Sequence, residues 1–112
     1  MIALLKEPGK LSREIDITPN LATLQELVGG YIETARLSKE LLLIVRETGK
    51  LDGLAPNVSY GDDFLAGNVI ALGISPDADV DFRSLTVDEL DLLKIYFAIC
   101  SVDRAQLLTD KE

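Results

Sequence analysis

The chain contains no histidine and a single cysteine, Cys100. Lack of histidine removes the commonest general base, the Ser-His-Asp and Cys-His nucleophile systems, and most zinc chemistry. One cysteine excludes an intrachain disulfide, which fits a reducing compartment. It lies in the apolar run Phe97-Ala98-Ile99, so its thiol is expected to be buried and inert. Long apolar runs are also missing, because charged residues interrupt each one. The N-terminus has no basic region followed by a long apolar core. Neither a signal peptide nor a membrane-spanning segment is expected, and the expected location is the cytoplasm.

Internal repeats, low-complexity tracts and long linkers are absent from the sequence as well. At 112 residues, that argues for a single domain over residues 1–112. Apolar residues make up 47 % and charged residues 27 %, which is a globular balance and not a disordered one. A domain of this size has little core to spare, so oligomerisation is a plausible further source of stability. The formal net charge is −8, and it is unevenly placed. Met1–Tyr60 holds eight acids against seven bases, and Gly61–Glu112 holds eleven against four. Such a field repels duplex nucleic acid and anionic membrane. A small anionic ligand is still allowed, because local arginines and backbone N–H groups dominate at contact distance.

Taken in order, Met1–Lys6 is a short apolar run stopped by Glu7-Pro8-Gly9, and Ser12–Ile17 alternates polar with apolar. The pair predicts a β-hairpin. Thr18-Pro19 predicts a helix start, with Leu21, Leu24, Leu27 and Val28 on its apolar face and Gly29-Gly30 as its stop. Tyr31–Leu37 reads as a strand, and Leu41–Val45, apolar throughout, as a central strand covered on both faces. Thr48-Gly49 reads as a hairpin turn into Lys50-Leu51-Asp52, Gly53–Asn57 as irregular, and Tyr60–Asp63 as a loop. The last strand is expected in the second half of Phe64–Gly73, and Ser75–Val80 as a loose segment. Thr86 and Glu89 have capping-box spacing at the start of a further helix. Either that helix runs to about Leu108, or it stops and Ser101 caps a second one. The predicted fold class is therefore α+β: a small antiparallel β-sheet body, one inserted helix and one or two C-terminal helices.

Five short motifs stand in order along the chain. They are Glu7-Pro8-Gly9, then Leu24 to Glu33 (Leu-Gln-Glu-Leu-Val-Gly-Gly-Tyr-Ile-Glu), then Gly49 to Asn57 (Gly-Lys-Leu-x-Gly-Leu-x-Pro-Asn). Ala66 to Val69 (Ala-Gly-Asn-Val) and Asp81 to Thr86 (Asp-Phe-Arg-Ser-Leu-Thr) complete the series. Over nearly the whole chain this order resembles a DUF3846-type domain, a family of phage and mobile-element proteins. In length, sheet body and C-terminal helices the chain is also similar to the first family of phage anti-Thoeris proteins. That resemblance implies a sponge, a protein that binds a cyclic ADP-ribose-type signal and holds it intact in the host bacterial cytoplasm. It further implies a homo-oligomer, a dimer or hexamer, with cyclic oligonucleotides as additional ligands, no catalysis and no cofactor.

Candidate ligand-binding residues follow from the chemistry such a signal presents. Phe82 is placed to stack on a purine, worth about 1–3 kcal/mol by analogy with base stacking. Arg83 would grip phosphate as a planar fork, with Ser84, Thr86 and the helix-start N–H groups as further donors, and Asp81 adjoining. The competing reading has Phe82 and Leu85 stapling the helix to the core. Asn57 and Asn68 can read base edges or ribose hydroxyls, or serve turns. Tyr31 and Glu33, two apart on a strand, would share a face. Arg36 and Arg104 are candidate pyrophosphate contacts, as is Arg46. Asp62-Asp63 and Asp77-x-Asp79-x-Asp81 lack the rest of a calcium loop and read as solvated acids, so no metal is expected. Two other function classes stay open, a protein-interaction module with no small ligand and a nucleotide hydrolase or cyclase.

Overall fold

The fold was obtained as a computed structural model that describes residues 1–75 and 82–102. The apolar runs of the sequence become the middle of one sheet. β1 (Ile2–Lys6) and β2 (Arg13–Asp16) form the expected hairpin, followed by α1 (Leu21–Val28), β3 (Ile32–Arg36) and β4 (Leu41–Arg46). Then come β5 (Pro56–Tyr60), β6 (Asp63–Ala66), β7 (Val69–Ile74), β8 (Phe82–Arg83) and α2 (Val87–Ile99). The main sheet has the order β2-β1-β7-β4-β3, with β8 paired to the end of β7, and every pairing in it is antiparallel. β5 and β6 form a separate hairpin. This is the α+β architecture expected.

Adjacent residues of the central strands point to opposite faces, and each face has its own helix. Leu4, Leu43, Val45, Val69 and Ala71 pack with Leu90, Leu93 and Phe97 of α2. Their neighbours Ala3, Leu5, Leu42, Ile44, Ile70 and Leu72 pack with Leu24 and Val28 of α1. That two-sided cover is why β4 and β7 are apolar without alternation.

The β5–β6 hairpin is tied to the end of α2. Ser59 N–H donates to Cys100 O, and Val102 N–H to Asn57 O, each at 2.8 Å. Tyr96 Oη donates to Ser59 O at 2.7 Å. α2 stops at Ile99 with Cys100 as its C-cap, and Ser101 bridges to Val58. A single helix reaching Leu108 is thereby excluded, while a second helix beyond Val102 lies outside the described residues. Cys100 is half-buried, not fully enclosed as expected.

Other boundaries also differ from the sequence reading. α1 starts two residues later than Thr18-Pro19 predicts, because Asn20 is the N-cap and its Oδ1 accepts from Thr23 N–H at 2.8 Å. Asn is among the best caps, and it outcompetes Thr18 here. Residues 47–53 form turns, with no strand at Lys50–Asp52, and Leu51 is exposed. The stretch read as irregular instead enters β5 at Pro56.

Glycines fasten this hairpin to the sheet. Gly67 has φ +80°, and a Cβ there would lie 2.6 Å from Leu54 Cδ1. Its N–H donates to Ala55 O at 2.8 Å. Gly67→Ala is expected to lower stability by about 1 kcal/mol, chiefly through the left-handed backbone, since the Leu54 methyl can yield. A shifted urea midpoint at unchanged slope will check this.

Candidate functional site

Edge strand β3, the 47–51 turn and the β5–β6 hairpin enclose a groove of about 530 Å³. Glu33 and Arg36 come from β3, Glu47 and Lys50 from the turn, and Tyr60 and Phe64 from the facing ends of the hairpin strands. Tyr60 pairs with Asp63 across the two-residue turn Gly61-Asp62. Gly61, at φ +58°, sits at the first central position, where this kind of tight hairpin turn favours glycine. Tyr60 Oη donates to Arg36 O at 2.6 Å and anchors the hairpin to β3.

The groove's cations differ in what holds them. Lys50 is paired with Asp63 and stands 4.7 Å from the centre of the Phe64 ring. That hydrogen bond, together with the Phe64 N–H, holds the Asp63 carboxyl below its ordinary range. Arg46 pairs with Asp52 at 2.7 Å, and Thr48 Oγ1 donates to the same carboxylate oxygen at 2.6 Å. Arg36 donates to Lys39 O at 3.1 Å and has no carboxylate partner among the described residues. The carboxylates of Glu33 and Glu47 likewise accept no hydrogen bond from the described residues. Chemically, the groove offers two aromatic rings and two carboxylates that accept nothing from the described residues, while Arg36 meets it through its backbone carbonyl.

On the other side of β3 lies a second cavity of about 390 Å³, lined by Pro19, Leu21, Leu24, Ile32, Arg36 and Phe82 among others. Arg36 borders both spaces, with its carbonyl receiving Tyr60 at the first and its side chain leaving β3 on the face of Ile32 and of its cross-strand partner Leu42, toward the second. Of the residues singled out in the sequence, Glu33 lines the first space, where Arg36 presents its backbone, and Phe82 and Arg36 both line the second.

The remaining candidates are occupied otherwise. Arg83 is committed to a two-pronged contact with Glu89, Nη1 to Oε1 at 2.7 Å and Nη2 to Oε2 at 2.8 Å. It also lies against Gly73, where a Cβ would come within 2.6 Å of Nη1. Ser84 Oγ accepts from Ile2 N–H at 2.9 Å. Thr86 is the N-cap of α2, with both bonds of the capping box formed. Phe82 packs against the core on the α1 face, with part of its ring left to the second cavity.

Asn57 is fully buried, so no base edge reaches it. It donates to Lys6 O and Gly67 O, each at 2.7 Å, and accepts from Lys6 Nζ at 3.0 Å. Asn68 donates to Leu27 O at 3.0 Å and ties α1 to the sheet. Tyr31 and Glu33 do not share a site. β3 begins at Ile32, and Tyr31, 73 % exposed, sits in a shallow depression beside Gly30 and Arg46. Asp81 and Arg104 lie outside the described residues.

Tyr60, Phe64 and Lys50 escape a reading of the sequence, which puts Tyr60 in a loop, Phe64 ahead of the expected last strand, and Lys50 just past a hairpin turn. The available signal was Tyr-Gly-Asp-Asp-Phe, a Gly-Asp turn between aromatic-bearing ends.

No curated protein and no solved structure matches the chain. A family model does match, over residues 1–98. The chain therefore belongs to the family described as domain of unknown function DUF3846.

Proposed function

We propose that this protein is a non-enzymatic sponge that binds a cyclic ADP-ribose-type signal and holds it uncleaved, as its resemblance to the anti-Thoeris proteins implies. The observation that carries the reading is the groove itself, where the Tyr60 and Phe64 rings stand beside the Glu33 and Glu47 carboxylates, with Arg36, which has no carboxylate partner among the described residues, on its border strand. Binding would draw the Arg36 guanidinium around the edge of β3 as a fork on the pyrophosphate. The rings would flank the purine, and Glu33 and Glu47 would accept from ribose hydroxyls. At about 530 Å³ the groove is of ligand size. The Tyr60–Arg36 contact prebuilds it, which limits the ordering cost of capture. Sequestration asks for no bond to form or break, in keeping with a chain that has no histidine.

The working form in this proposal is a homo-oligomer, a dimer or hexamer, and cyclic oligonucleotides are further ligands. An apolar stripe on α2, with Leu92, Ile95 and Ile99 all exposed, supports assembly. A protein-interaction module is the competing reading, and that same stripe is what favours it.

The test is capture and release. Purified protein is incubated with the cyclic ADP-ribose isomers, freed of unbound ligand and heat-denatured, and the released material is analysed. Intact signal is expected, with Arg36→Ala weakening capture about tenfold or more through loss of a charge-assisted contact. Recovery of a converted product would make the protein an enzyme. Recovery of nothing would leave the interaction module.

A further inference from the structure

Lys6 is the one charged side chain that is fully buried among the described residues, at 2 % exposure. Its ammonium carries three donors. Two are engaged, by Glu7 O and by Asn57 Oδ1, each at 3.0 Å. Neither acceptor is charged, and among the described residues no carboxylate lies within ion-pair distance. The nearby acids are directed elsewhere, Glu7 to Lys10 and Arg13 and Glu14 to Lys94. A buried charge without a counter-charge is costly, and burial pushes the Lys6 pKa below the ordinary lysine value.

Lys6 also forms part of the wall of a cavity of about 410 Å³ between the Gly9–Ser12 turn and the end of α2. Lys10, Lys94, Ser12 and Ser101 line the same cavity, and none of the described residues lining it is acidic. In a chain of net charge −8, three lysines and two hydroxyls gather around one hollow; Lys10 and Lys94 also meet Glu7 and Glu14, at 3.8 Å and 2.8 Å, so the uncompensated charge is that of Lys6. A small anion inside would supply the missing counter-charge to Lys6 and take up its remaining donor.

We propose that this cavity is a binding site for a phosphate group, held by Lys6 from within and by Lys10 and Lys94 from the rim. The site shares no residue with the groove of Arg36, Tyr60 and Phe64, so it stands or falls independently of the sponge reading. The phosphate is recognised either free or as the end of a larger molecule, and the probes are inorganic phosphate and adenosine monophosphate.

Two measurements on the full chain test the site at constant ionic strength. Thermal midpoints are expected to rise with at least one probe, and which probe does so tells free from carried phosphate. In ¹³C-lysine spectra, Lys6 Cε is expected to titrate below the other lysines and to move back upward as the probe saturates. Lys6→Met is expected to abolish binding. It also strips Asn57 of a partner, so Lys10→Ser, whose side chain is 70 % exposed, carries the test should that variant not fold. Lys10→Ser is expected to weaken binding about tenfold. The proposal is overturned by unchanged midpoints and an unmoved Lys6 signal with both probes. It is equally overturned by the same response to chloride, or by full binding in Lys10→Ser.

Discussion

Asn57→Ala will lower the stability of the domain by about 3–5 kcal/mol, the sum of several buried polar groups left unpaired. Three strong contacts vanish together. Lys6 O and Gly67 O lose the donors that reach them at 2.7 Å, and Lys6 Nζ loses an acceptor at 3.0 Å. Which end of the amide faces which partner is not in doubt, because an ammonium only donates and a carbonyl only accepts. The side chain is fully buried, so no bulk water replaces what is lost. A domain of this size should melt lower by roughly 10 °C or more. Asn57→Asp separates the contributions. It keeps the shape and places a charge beside Lys6, but sets one acceptor oxygen, in place of the donating nitrogen, against two carbonyls. It should therefore destabilise at neutral pH and less so in acid, where the carboxyl regains a proton to donate. If Asn57→Ala melts within a degree or two of the parent, the hub is not structural and the assignment of Asn57 to the scaffold fails.

That hub shows what the sequence could and could not disclose. The central strands were legible because their cause is local, whereas β5, β6 and β8 were not read. Leu41–Val45 and Val69–Leu72 are apolar without interruption, which only a strand covered on both faces tolerates. The start of α2 was legible for the same reason, since Thr86 and Glu89 carry their cap at fixed spacing. Asparagine carries no such local signature. The same amide that reads a base edge can stitch a hairpin to a sheet, and only burial, a property of the assembled fold, separates the two. Asn57 sits far in sequence from Lys6, so no window on the chain would have paired them.

The motif residues that carry the family resemblance prove to be largely architectural. Gly30 leaves room for Arg46, since a Cβ there would lie 2.9 Å from its Nε, and Gly49 leaves room for Ala66 O at the same distance. Asn57 and Gly67 belong to the Lys6 hub. A motif series so occupied marks a shared scaffold more than a shared pocket. The groove beside β3 takes its rings from Tyr60 and Phe64, outside the five motifs, and Glu33, Lys50 and Ala66 from within them.

Arg83 was one candidate whose true partner lay within reach of a sequence reading, six residues on at Glu89. The carboxylate accepts from both terminal nitrogens of Arg83 and, at 2.9 Å, from Thr86 N–H. The Arg83 hydrogen bond is the main cause that brings the Glu89 pKa from its ordinary 4.5 to about 2, against burial that pushes it up, with the Thr86 N–H and the Arg83 charge assisting. The folded state therefore holds this proton less tightly than the unfolded chain. The contribution to stability is complete above the ordinary value of 4.5 and is lost as pH falls towards 2. The full shift corresponds to at most about 3 kcal/mol. Arg83 is 31 % exposed, so solvent screening leaves about 1–2 kcal/mol as the expected effect. Glu89→Gln removes the charge but keeps an oxygen for the capping box, and comparing it with the parent cancels every other titrating carboxyl. Urea unfolding is expected to show the parent more stable by that amount at pH 6, with the gap closing by pH 2. A gap that stays constant across this range would mean that the Arg83–Glu89 contact acts through shape alone and leaves the guanidinium electrostatically available.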